Sequence, residues 1–393
     1  MPKDYIQISL GLQEFSVLGW KEDNQEVIVE VIKSSSYGVC PKCSESTNKV
    51  HQYKERLIDD IPIQDKRLRL NLRQRRFKCA NCGKVFTECF ESVHSRGHRT
   101  TRYEQYLYER GKNRALKAIS LEYQVKYTTL RRLWYRYAKE AVNNRSFEYP
   151  RKMGIDEFSV AKRHKYHTVL TDLEKHRIVT TIMGRDKEAL KNYLQTIPDG
   201  KRPEFFVVDI WKGYISAIRE VCSEVVIVAD KFHIIRMVNY ALDFTRQVIQ
   251  RQTQKGKKQI IFRAKHLLLK AYERLTPKEH ERLLALFKDV PVLGDAYELK
   301  ELLRQIYQLE NYDEACGLLQ CWCRMAYDSN LSGFRDVART YLRWFDIITN
   351  YFKYRVTNGF TEGMNNKIKL DKQMAYGYRN FSNQHLRILA MSS

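Results

Sequence analysis

The alternation of apolar and polar residues divides the chain into segments with strand-like and helix-like periodicity. From Arg67 to Arg73, leucine occupies every second position, which predicts a strand with one buried face. Between Arg102 and Tyr137, apolar residues recur at helical spacing instead. From Ile234 to Phe352 the pattern is again mainly helical. We therefore predict a multi-domain α+β protein.

The segment between these helical regions is rich in β-branched residues, which favour strands. Three strands with short connections indicate an antiparallel meander, and the two apolar strands that follow are typical of parallel strands flanked by helices. The predicted elements are strands at 153–160, 166–171 and 177–183, a helix at 186–196, a strand at 205–209, a helix at 214–221 and a strand at 225–229. This order is that of a ribonuclease-H-like α/β fold.

These patterns predict five segments along the chain. A turn-rich linker at 143–150 separates the N-terminal part from the sheet. The predicted segments are a zinc-ribbon domain at 1–95, a helix-turn-helix domain at 96–145, the first part of a catalytic core at 151–235, a helical insertion at 236–352, and the last part of the core at 353–393.

The composition adds a strong positive charge. Among 393 residues, 69 lysines and arginines stand against 46 acidic residues, which gives a net charge of +23. Such a protein typically binds nucleic acid, because neutralising phosphates releases counterions; a merely basic surface is the alternative. The apolar runs are shorter than a membrane span of about 18 residues, and Met1–Ile6 lacks the character of a signal peptide. We expect a cytoplasmic protein with reduced thiols and no membrane partner.

Two CxxC pairs predict a zinc site. Cys40 and Cys43 form the first pair, and Cys79 and Cys82 form the second. Each pair makes a tight turn that directs both sulfurs to one point, and two such turns complete a tetrahedral site for one structural Zn²⁺. Redox chemistry is the alternative. His51 is either a substitute ligand or, more simply, a surface histidine.

Two basic segments lie in the N-terminal part of the chain. Residues 66–78 contain seven lysines or arginines and no acid, which predicts either a solvated strand face or an edge that contacts phosphates. A short helix, a break near 124–126 and a second helix capped by Thr128 are typical of helix-turn-helix; a structural bundle is the alternative. The predicted DNA-binding side chains are Arg73, Arg75, Arg76, Lys126, Arg131, Arg132 and Arg136, while Leu130, Leu133, Trp134 and Tyr137 are predicted to face the core.

Three carboxylates occupy positions that a ribonuclease-H-like fold would use. Asp156 lies in the first predicted strand of the sheet, and Asp209 ends the fourth, where an open α/β sheet binds its ligands. A third acid, Glu362, lies in a predicted helix at 358–369. One face of that helix offers a metal ligand, two amides and an ammonium that suits phosphate, from Glu362, Asn365, Asn366 and Lys369. Taken singly, each acid has a simpler interpretation: Asp156 as an acid at a strand end, Asp209 as a helix cap, and Glu362 as a surface residue of a helix.

Two further residues are possible auxiliaries of that site. Asp230 follows the fifth predicted strand and suits either the site or the N-cap of the next helix. His233 either assists the site or is a packed histidine. Cys316, Cys321 and Cys323 lack paired spacing and are predicted to be core residues. The nearby aromatic residues are also predicted to be in the core, with stacking of one of them on a base as the alternative; they are Tyr307, Tyr312, Trp344, Phe345 and Tyr351. The basic run at 255–258 is predicted to be a flexible loop, either solvated or in contact with DNA.

Several short motifs occur together: Arg76–Cys79, Gly154–Glu157, Val207–Tyr214, Asp230–His233, Thr361–Asn365 and Tyr376–Asn380. With them, the sequence resembles bacterial insertion-sequence transposases of the ISL3 family, a branch of the DDE transposases, over nearly its whole length. The resemblance implies that Asp156, Asp209 and Glu362 form a catalytic triad. Two Mg²⁺ or Mn²⁺ ions held by such acids can activate a water or hydroxyl and stabilise the leaving oxygen.

The resemblance also implies the partners and the reaction. The expected partner is double-stranded DNA, as terminal inverted repeats and as target DNA, with at least a homodimer bound to it at the nucleoid. Hydrolysis at the end of the element releases a 3′-hydroxyl, which then attacks target DNA. Two alternatives remain open: a DNA-binding regulator without catalysis, and a nuclease of the same fold that hydrolyses without joining.

Overall fold

The chain divides into two compact units, with the boundary in the sequence between Arg145 and Ser146. The computed structural model describes residues 10–161, 165–378 and 380–391. The interpretation of Met1–Ile6, and Arg379 of the Tyr376–Asn380 motif, fall outside these residues. Within the described part, no helix has the length and apolar character needed to cross a bilayer.

The first unit contains a mixed sheet and a small hairpin. Its strands are β1 (Phe15–Glu22), β2 (Glu26–Lys33), β3 (Gly38–Val39), β4 (Ser46–Thr47), β5 (Val50–Ile63), β6 (Lys66–Lys78) and β7 (Val85–Thr87). The order β1-β2-β6-β5 makes β6 internal, with β7 also paired to it. Leu68, Leu70 and Leu72 on β6 are each 1% exposed, which confirms the predicted buried face. Strand β6 is not an edge of the sheet, because neighbouring strands occupy both of its sides, while contact of its exposed side chains with phosphate stays a prediction.

Three helices complete the first unit. They are α1 (Thr101–Gly111), α2 (Leu116–Glu122) and α3 (Tyr127–Asn143). Gln124 has a φ of 51° in the turn before α3. The prediction that Thr128 caps α3 is wrong, because the helix already begins at Tyr127 with Lys126 at the N-cap. Leu130, Leu133 and Trp134 are buried as predicted, whereas Tyr137 is half-buried.

A five-stranded sheet forms the centre of the second unit. Its strands are β8 (Lys152–Ala161), β9 (Lys165–Asp172), β10 (Arg177–Met183), β11 (Phe205–Val208) and β12 (Val226–Ala229). The order is β10-β9-β8-β11-β12. Strands β8, β9 and β10 are antiparallel neighbours, whereas β11 runs parallel to both β8 and β12. The antiparallel meander and the two parallel strands are those predicted from the sequence.

Helices surround this sheet and continue beyond it. They are α4 (Lys187–Gln195), α5 (Lys212–Val221), α6 (Lys231–Gln252), α7 (Lys255–Arg263), α8 (Lys265–Leu269), α9 (Pro277–Asp289), α10 (Pro291–Ile306), α11 (Tyr312–Asp328), α12 (Ser332–Arg343), α13 (Phe345–Tyr354), α14 (Gly359–Met374) and α15 (Phe381–Ala390), with 3₁₀ turns at Asp199–Lys201 and Tyr272–Arg274. Buried residues of the sheet and of the helices up to α13 form one continuous core.

Three predictions about the helical region are wrong in whole or in part. Residues 255–258 lie in α7 and not in a loop, because Ile261 on that helix is 1% exposed and packs into the core. Of the three cysteines predicted to be buried, Cys323 is buried, Cys316 is half-buried and Cys321 is exposed. Of the predicted core aromatics, Tyr307 and Tyr351 are buried, Trp344 and Phe345 are half-buried, and Tyr312 is 40% exposed.

Helix α14 packs closely against β8 because Gly154 leaves room for it. A Cβ atom at this position would lie 2.5 Å from the Thr361 hydroxyl and 2.6 Å from the Thr171 hydroxyl. These two hydroxyls are themselves 2.5 Å apart and join β9 to α14. The Asn358 side chain, just before α14, donates to the carbonyl of Ile155 at 3.2 Å. The close approach brings the helix that carries Glu362 against the strand that carries Asp156.

Candidate active site

Three aspartates lie side by side across three neighbouring parallel strands. The register pairs Val208 of β11 with Ile155 of β8 and with Ala229 of β12. The residue after each of these positions is an aspartate: Asp156, Asp209 and Asp230. Because parallel strands present equivalent ends at one edge of a sheet, pairing alone aligns the three carboxylates. The arrangement concentrates negative charge at one point.

Asp156 is the most perturbed of these acids. Burial, followed by the charge of Asp209, raises the pKa of Asp156 to about 6. Against this, the Asn365 amide of α14 donates to Asp156 Oδ2 at 2.7 Å, and also to the carbonyl of Glu157 at 3.1 Å. Asn365 therefore both orients the carboxylate and favours its ionised form. A cation at the site would offset the remaining cost of charging Asp156.

Asp209 has cationic or potentially cationic neighbours on α6. Its Oδ2 atom lies 2.8 Å from His233 Nδ1 and 3.5 Å from Arg236 Nη2. His233 thus contacts the site and is not merely packed. Asp209 does not cap α5, whose N-cap is Trp211. Sequence reasoning missed Arg236, although its position one turn after His233 on a predicted helix was an available signal.

Asp230 connects the sheet to α14. It occupies the N-cap position of α6 without a side-chain capping bond, and its Oδ1 accepts from the backbone N–H of Asn358 at 3.2 Å. Burial raises the pKa of Asp230. Asp230 therefore lies at the N-cap, as one alternative predicted, but its side chain does not make the capping hydrogen bond. Asn358, which sequence reasoning did not single out, ties Asp230 and β8 to the start of α14.

Glu362 joins these acids in one cleft of about 360 Å³, which Asp156, Asp209, Asp230, Asn358, His233 and Arg236 also line. Glu362 is exposed, while Asn365, one turn later, is 3% exposed and faces β8. Asn366 and Lys369 are exposed, so the predicted common face divides into a buried part and a solvent-facing part.

The donor set of this cleft suits Mg²⁺ or Mn²⁺, which prefer carboxylate and carbonyl oxygens. Asp156, Asp209 and Glu362 line the same cleft. Their carboxylate oxygens do not all lie within 4.8 Å of one another, whereas the four cysteine sulfurs described below do. Asp156 and Asp209 are fixed by strands and hydrogen bonds. Glu362 is exposed at the same cleft.

The four cysteines converge in the first unit. Sulfur–sulfur distances are 3.6 Å for Cys40–Cys82 and Cys43–Cys79, and 3.5 Å for Cys43–Cys82. Tetrahedral zinc with bonds of about 2.3 Å places its sulfurs about 3.8 Å apart, so the set fits one Zn²⁺. The exposed His51 is not one of the converging residues.

The two cysteine turns have matching backbone geometry. Ser44 N–H donates to the Cys40 carbonyl at 2.9 Å, and Gly83 N–H donates to the Cys79 carbonyl at 3.1 Å. Ser44 and Gly83 both have positive φ values, of 59° and 71°. Each turn therefore presents its two sulfurs in the same way, as a zinc ribbon requires.

The arginines predicted to bind DNA from β6 have different environments. Arg73 is exposed, with its guanidinium 4.3 Å from the centre of the Tyr53 ring. Arg76 is half-buried and donates to Gln52 at 3.3 Å. Arg75 is 6% exposed and pairs with Glu88 at 2.9 Å. Its assignment to DNA binding is therefore wrong, because its guanidinium is used inside the protein.

The candidates on the helices are more accessible. Lys126, Arg131 and Arg132 are exposed at the start of α3 and along it. Arg136 is also exposed, but it pairs with Glu104 of α1, so part of its hydrogen-bonding capacity is used within the helical group.

Comparison with known proteins places this geometry in context. Residues 153–388 match the ISL3-type DDE family model, described as a transposase, and residues 36–82 match a model described as the zinc-finger of transposase IS204/IS1001/IS1096/IS1165. The chain is 24% identical over 388 residues to the transposase for insertion sequence element IS1001 of Bordetella parapertussis, covering 97% of this chain and 96% of the relative. It is 27% identical over 266 residues to the transposase for IS1557 of Mycobacterium tuberculosis, covering 61% and 59%.

Proposed function

Since the chain belongs to the ISL3 family of DDE transposases, we propose that it binds the terminal inverted repeats of an insertion sequence and catalyses metal-dependent DNA cleavage and strand transfer. The observation that supports this most is that Asp156, Asp209 and Glu362, although distant in sequence, line one cleft. The sheet order and the helix that carries Glu362 suit a ribonuclease-H-like core interrupted by a helical insertion.

In this proposal the three acids are the metal ligands and catalytic residues. Bound Mg²⁺ or Mn²⁺ would supply Lewis acidity at the attacking and leaving oxygens. Asn365 orients Asp156 through the bond at 2.7 Å. His233 and Arg236 hold Asp209, and Asp230 fixes the start of α14 through Asn358. Each is a positioning residue in this scheme.

The chemistry needs neither a redox partner nor a protein-bound intermediate. In the first step, a water oxygen forms a bond to phosphorus while the bond to the 3′-oxygen breaks, which releases a 3′-hydroxyl. In the second step, the oxygen of that hydroxyl forms a bond to a phosphorus of target DNA while the bond from that phosphorus to the target 3′-oxygen breaks. The target 3′-oxygen leaves as a hydroxyl, and the proton of the attacking hydroxyl is released, so one phosphodiester replaces another. Exposed Asn366 and Lys369 on α14 are candidates for contact with the DNA backbone, because an amide and an ammonium both donate to phosphate oxygens.

The first unit is proposed to recognise the repeats. The zinc ribbon would hold Arg73 and Arg76 against the duplex, and α2 with α3 would act as a helix-turn-helix that presents Lys126, Arg131 and Arg132. Arg136 would contribute less because Glu104 already binds it. Work on two ends at once calls for at least a homodimer on DNA, in the cytoplasm at the nucleoid.

A strand-transfer assay with a pre-cut end tests the proposal. The DNA flanking the reading frame supplies the ends, in Mg²⁺ or Mn²⁺. We expect the wild type to join the pre-cut end to target DNA. Asp209→Asn should abolish cleavage and joining while leaving repeat binding within about twofold, because the amide loses the charge that binds metal.

The matched control for this assay is Asp199→Asn. Asp199 has a side chain that is 88% exposed, so its substitution should change neither step. Repeat binding without any strand chemistry in the wild type would identify a regulator, and cleavage without joining would identify a nuclease. Retained cleavage in Asp209→Asn would remove Asp209 from the mechanism.

A further inference from the structure

Helix α6 has an exposed ridge of unusual composition. From Lys231 to Gln250, the exposed residues of the helix are Phe232, Arg236, Tyr240 and Phe244, each four positions after the last. The three rings are 52%, 67% and 46% exposed, and the Arg236 side chain is 52% exposed. We call these four residues the aromatic ridge.

The ridge is separate from the core side of the same helix. Ile234, Val238 and Leu242 are at most 1% exposed and pack into the core of the second unit. Isolated exposed apolar residues are ordinary on protein surfaces. Here, large rings occupy three of the four exposed positions along one side of the helix. A contiguous surface of this kind is typical of a binding site.

One end of the ridge lies in the acidic cleft. Phe232 and Arg236 line that cleft together with the three acids. A Cβ atom at Gly359, the first residue of α14, would lie 3.7 Å from the Phe232 ring, and Arg236 is 3.5 Å from Asp209. From Phe232 to Phe244 the helix rises about 18 Å, so the ridge leads away from the reacting centre.

The charge along α6 suits a polyanion. The helix carries one acid, Asp243, which is 9% exposed and bound by Arg246 at 2.7 Å. No carboxylate on α6 therefore faces solvent beside the ridge, and Arg236 adds a cation within it. Arg304 also lines the cleft. Phosphates could follow this surface without meeting an exposed acid of the helix.

We propose that the aromatic ridge binds an unpaired DNA strand that leads into the acidic cleft. Bases stack on Phe232, Tyr240 and Phe244, as they do on the aromatic platforms of proteins that bind single strands, and Arg236 contacts the backbone. Along the helix, Phe232 and Tyr240 are about 12 Å apart and Tyr240 and Phe244 about 6 Å apart, whereas bases in one strand of a duplex are 3.4 Å apart. The spacing therefore suits bases spread apart, outside a duplex. This inference rests on the proposed function.

Binding of two DNA probes tests the ridge. One probe is a blunt duplex of the flanking repeat, and the other is the same duplex with a single-stranded thymidine overhang, both in Ca²⁺ to prevent cleavage. Tyr240→Ala and Phe244→Ala should each weaken overhang binding by about 5- to 150-fold, since a stacked base contributes about 1–3 kcal/mol. Binding of the blunt duplex should change by less than about twofold.

Two controls accompany these variants. Tyr240→Phe keeps the ring and should bind the overhang within about twofold of the wild type. Phe262→Ala removes a ring that is 61% exposed on α7, away from the ridge, and should have no effect on either probe. The sedimentation coefficient of each DNA-free variant is measured as well.

Three results would overturn the inference. The first is overhang binding that both alanine variants leave unchanged, and the second is an equal loss on both probes. The third is a change in sedimentation without a change in overhang binding, which would make the ridge a contact with a second copy of the chain. If the wild type binds neither probe, the proposed function itself fails. If the wild type binds the blunt duplex and one of these three results is found, only the inference fails.

Discussion

Replacing Arg75 by methionine should destabilise the first unit without acting through DNA. The Arg75 and Glu88 side chains are 7% and 3% exposed. Arg75 Nε donates to Glu88 Oε2 at 3.0 Å, and its Nη2 donates to the carbonyls of Lys33, at 3.2 Å, and Ser35. Methionine keeps an apolar stem of similar length but provides none of these donors.

The expected loss of stability follows from the contacts that Glu88 retains when Arg75 is replaced. The Glu88 carboxylate keeps one hydrogen bond, from the Arg75 backbone N–H at 2.6 Å, but loses its counter-charge while still buried. Removing one partner of a buried ion pair costs about 3–5 kcal/mol. The matched variant is Arg73→Met, two residues earlier on the same strand and exposed, which should cost less than about 0.5 kcal/mol.

Urea-induced zinc release, followed with a chromophoric chelator, reports on this unit within the whole chain. With a denaturant slope of about 2 kcal/mol/M, Arg75→Met should lower the release midpoint by about 2 M urea, and Arg73→Met by little. At low urea, Arg75→Met should bind repeat DNA nearly as the wild type does. An unchanged midpoint together with weakened DNA binding would refute this reasoning and return Arg75 to the DNA interface.

Three further predictions concern the metal sites. Cys79→Ser should lower zinc content, measured by atomic absorption, from about one ion per chain to less than half, because the tetrahedral set loses a thiolate; full retention would contradict this. Asn365→Ala should weaken Mn²⁺ binding at the cleft by about tenfold, measured by electron paramagnetic resonance, because Asp156 loses the bond at 2.7 Å; unchanged affinity would contradict it. The raised pKa of Asp156, about 6 against 3.8, means that its contribution to stability falls as pH rises from about 4 to 6. Without added Mg²⁺, Asp156→Asn should lose less stability over that interval than the wild type, and equal losses in urea denaturation would count against the shift.

The parts of the structure that the sequence predicted well depend on local information. Leucine alternation at 67–73 predicted the buried face of β6, and the β-branched run at 177–183 predicted β10, Arg177–Met183. The cysteine turns were equally readable, because a CxxC pair places two sulfurs together whatever surrounds it.

The parts that were missed depend on contacts between distant residues. Alternation fails at Gln74 and Arg75, which are both buried, because Glu88 provides a partner for Arg75 from beyond β7. Gly256 in the basic run at 255–258 favours a loop on sequence grounds, but packing of Ile261 outweighs the low helix propensity of glycine. The bond between Asn365 and Asp156 joins residues 209 positions apart, a pairing that one sequence does not reveal.

Metal binding by single variants of the three acids shows whether Asp156, Asp209 and Glu362 bind a common ion. Mn²⁺ binding at the cleft is titrated by electron paramagnetic resonance in the wild type, Asp156→Asn, Asp209→Asn and Glu362→Gln, with Asp199→Asn as the control. We expect each of the three variants to bind Mn²⁺ at least about tenfold more weakly than the wild type, and the control to bind it normally. Wild-type affinity in Glu362→Gln would contradict the claim that acids from the sheet and from α14 hold a common ion.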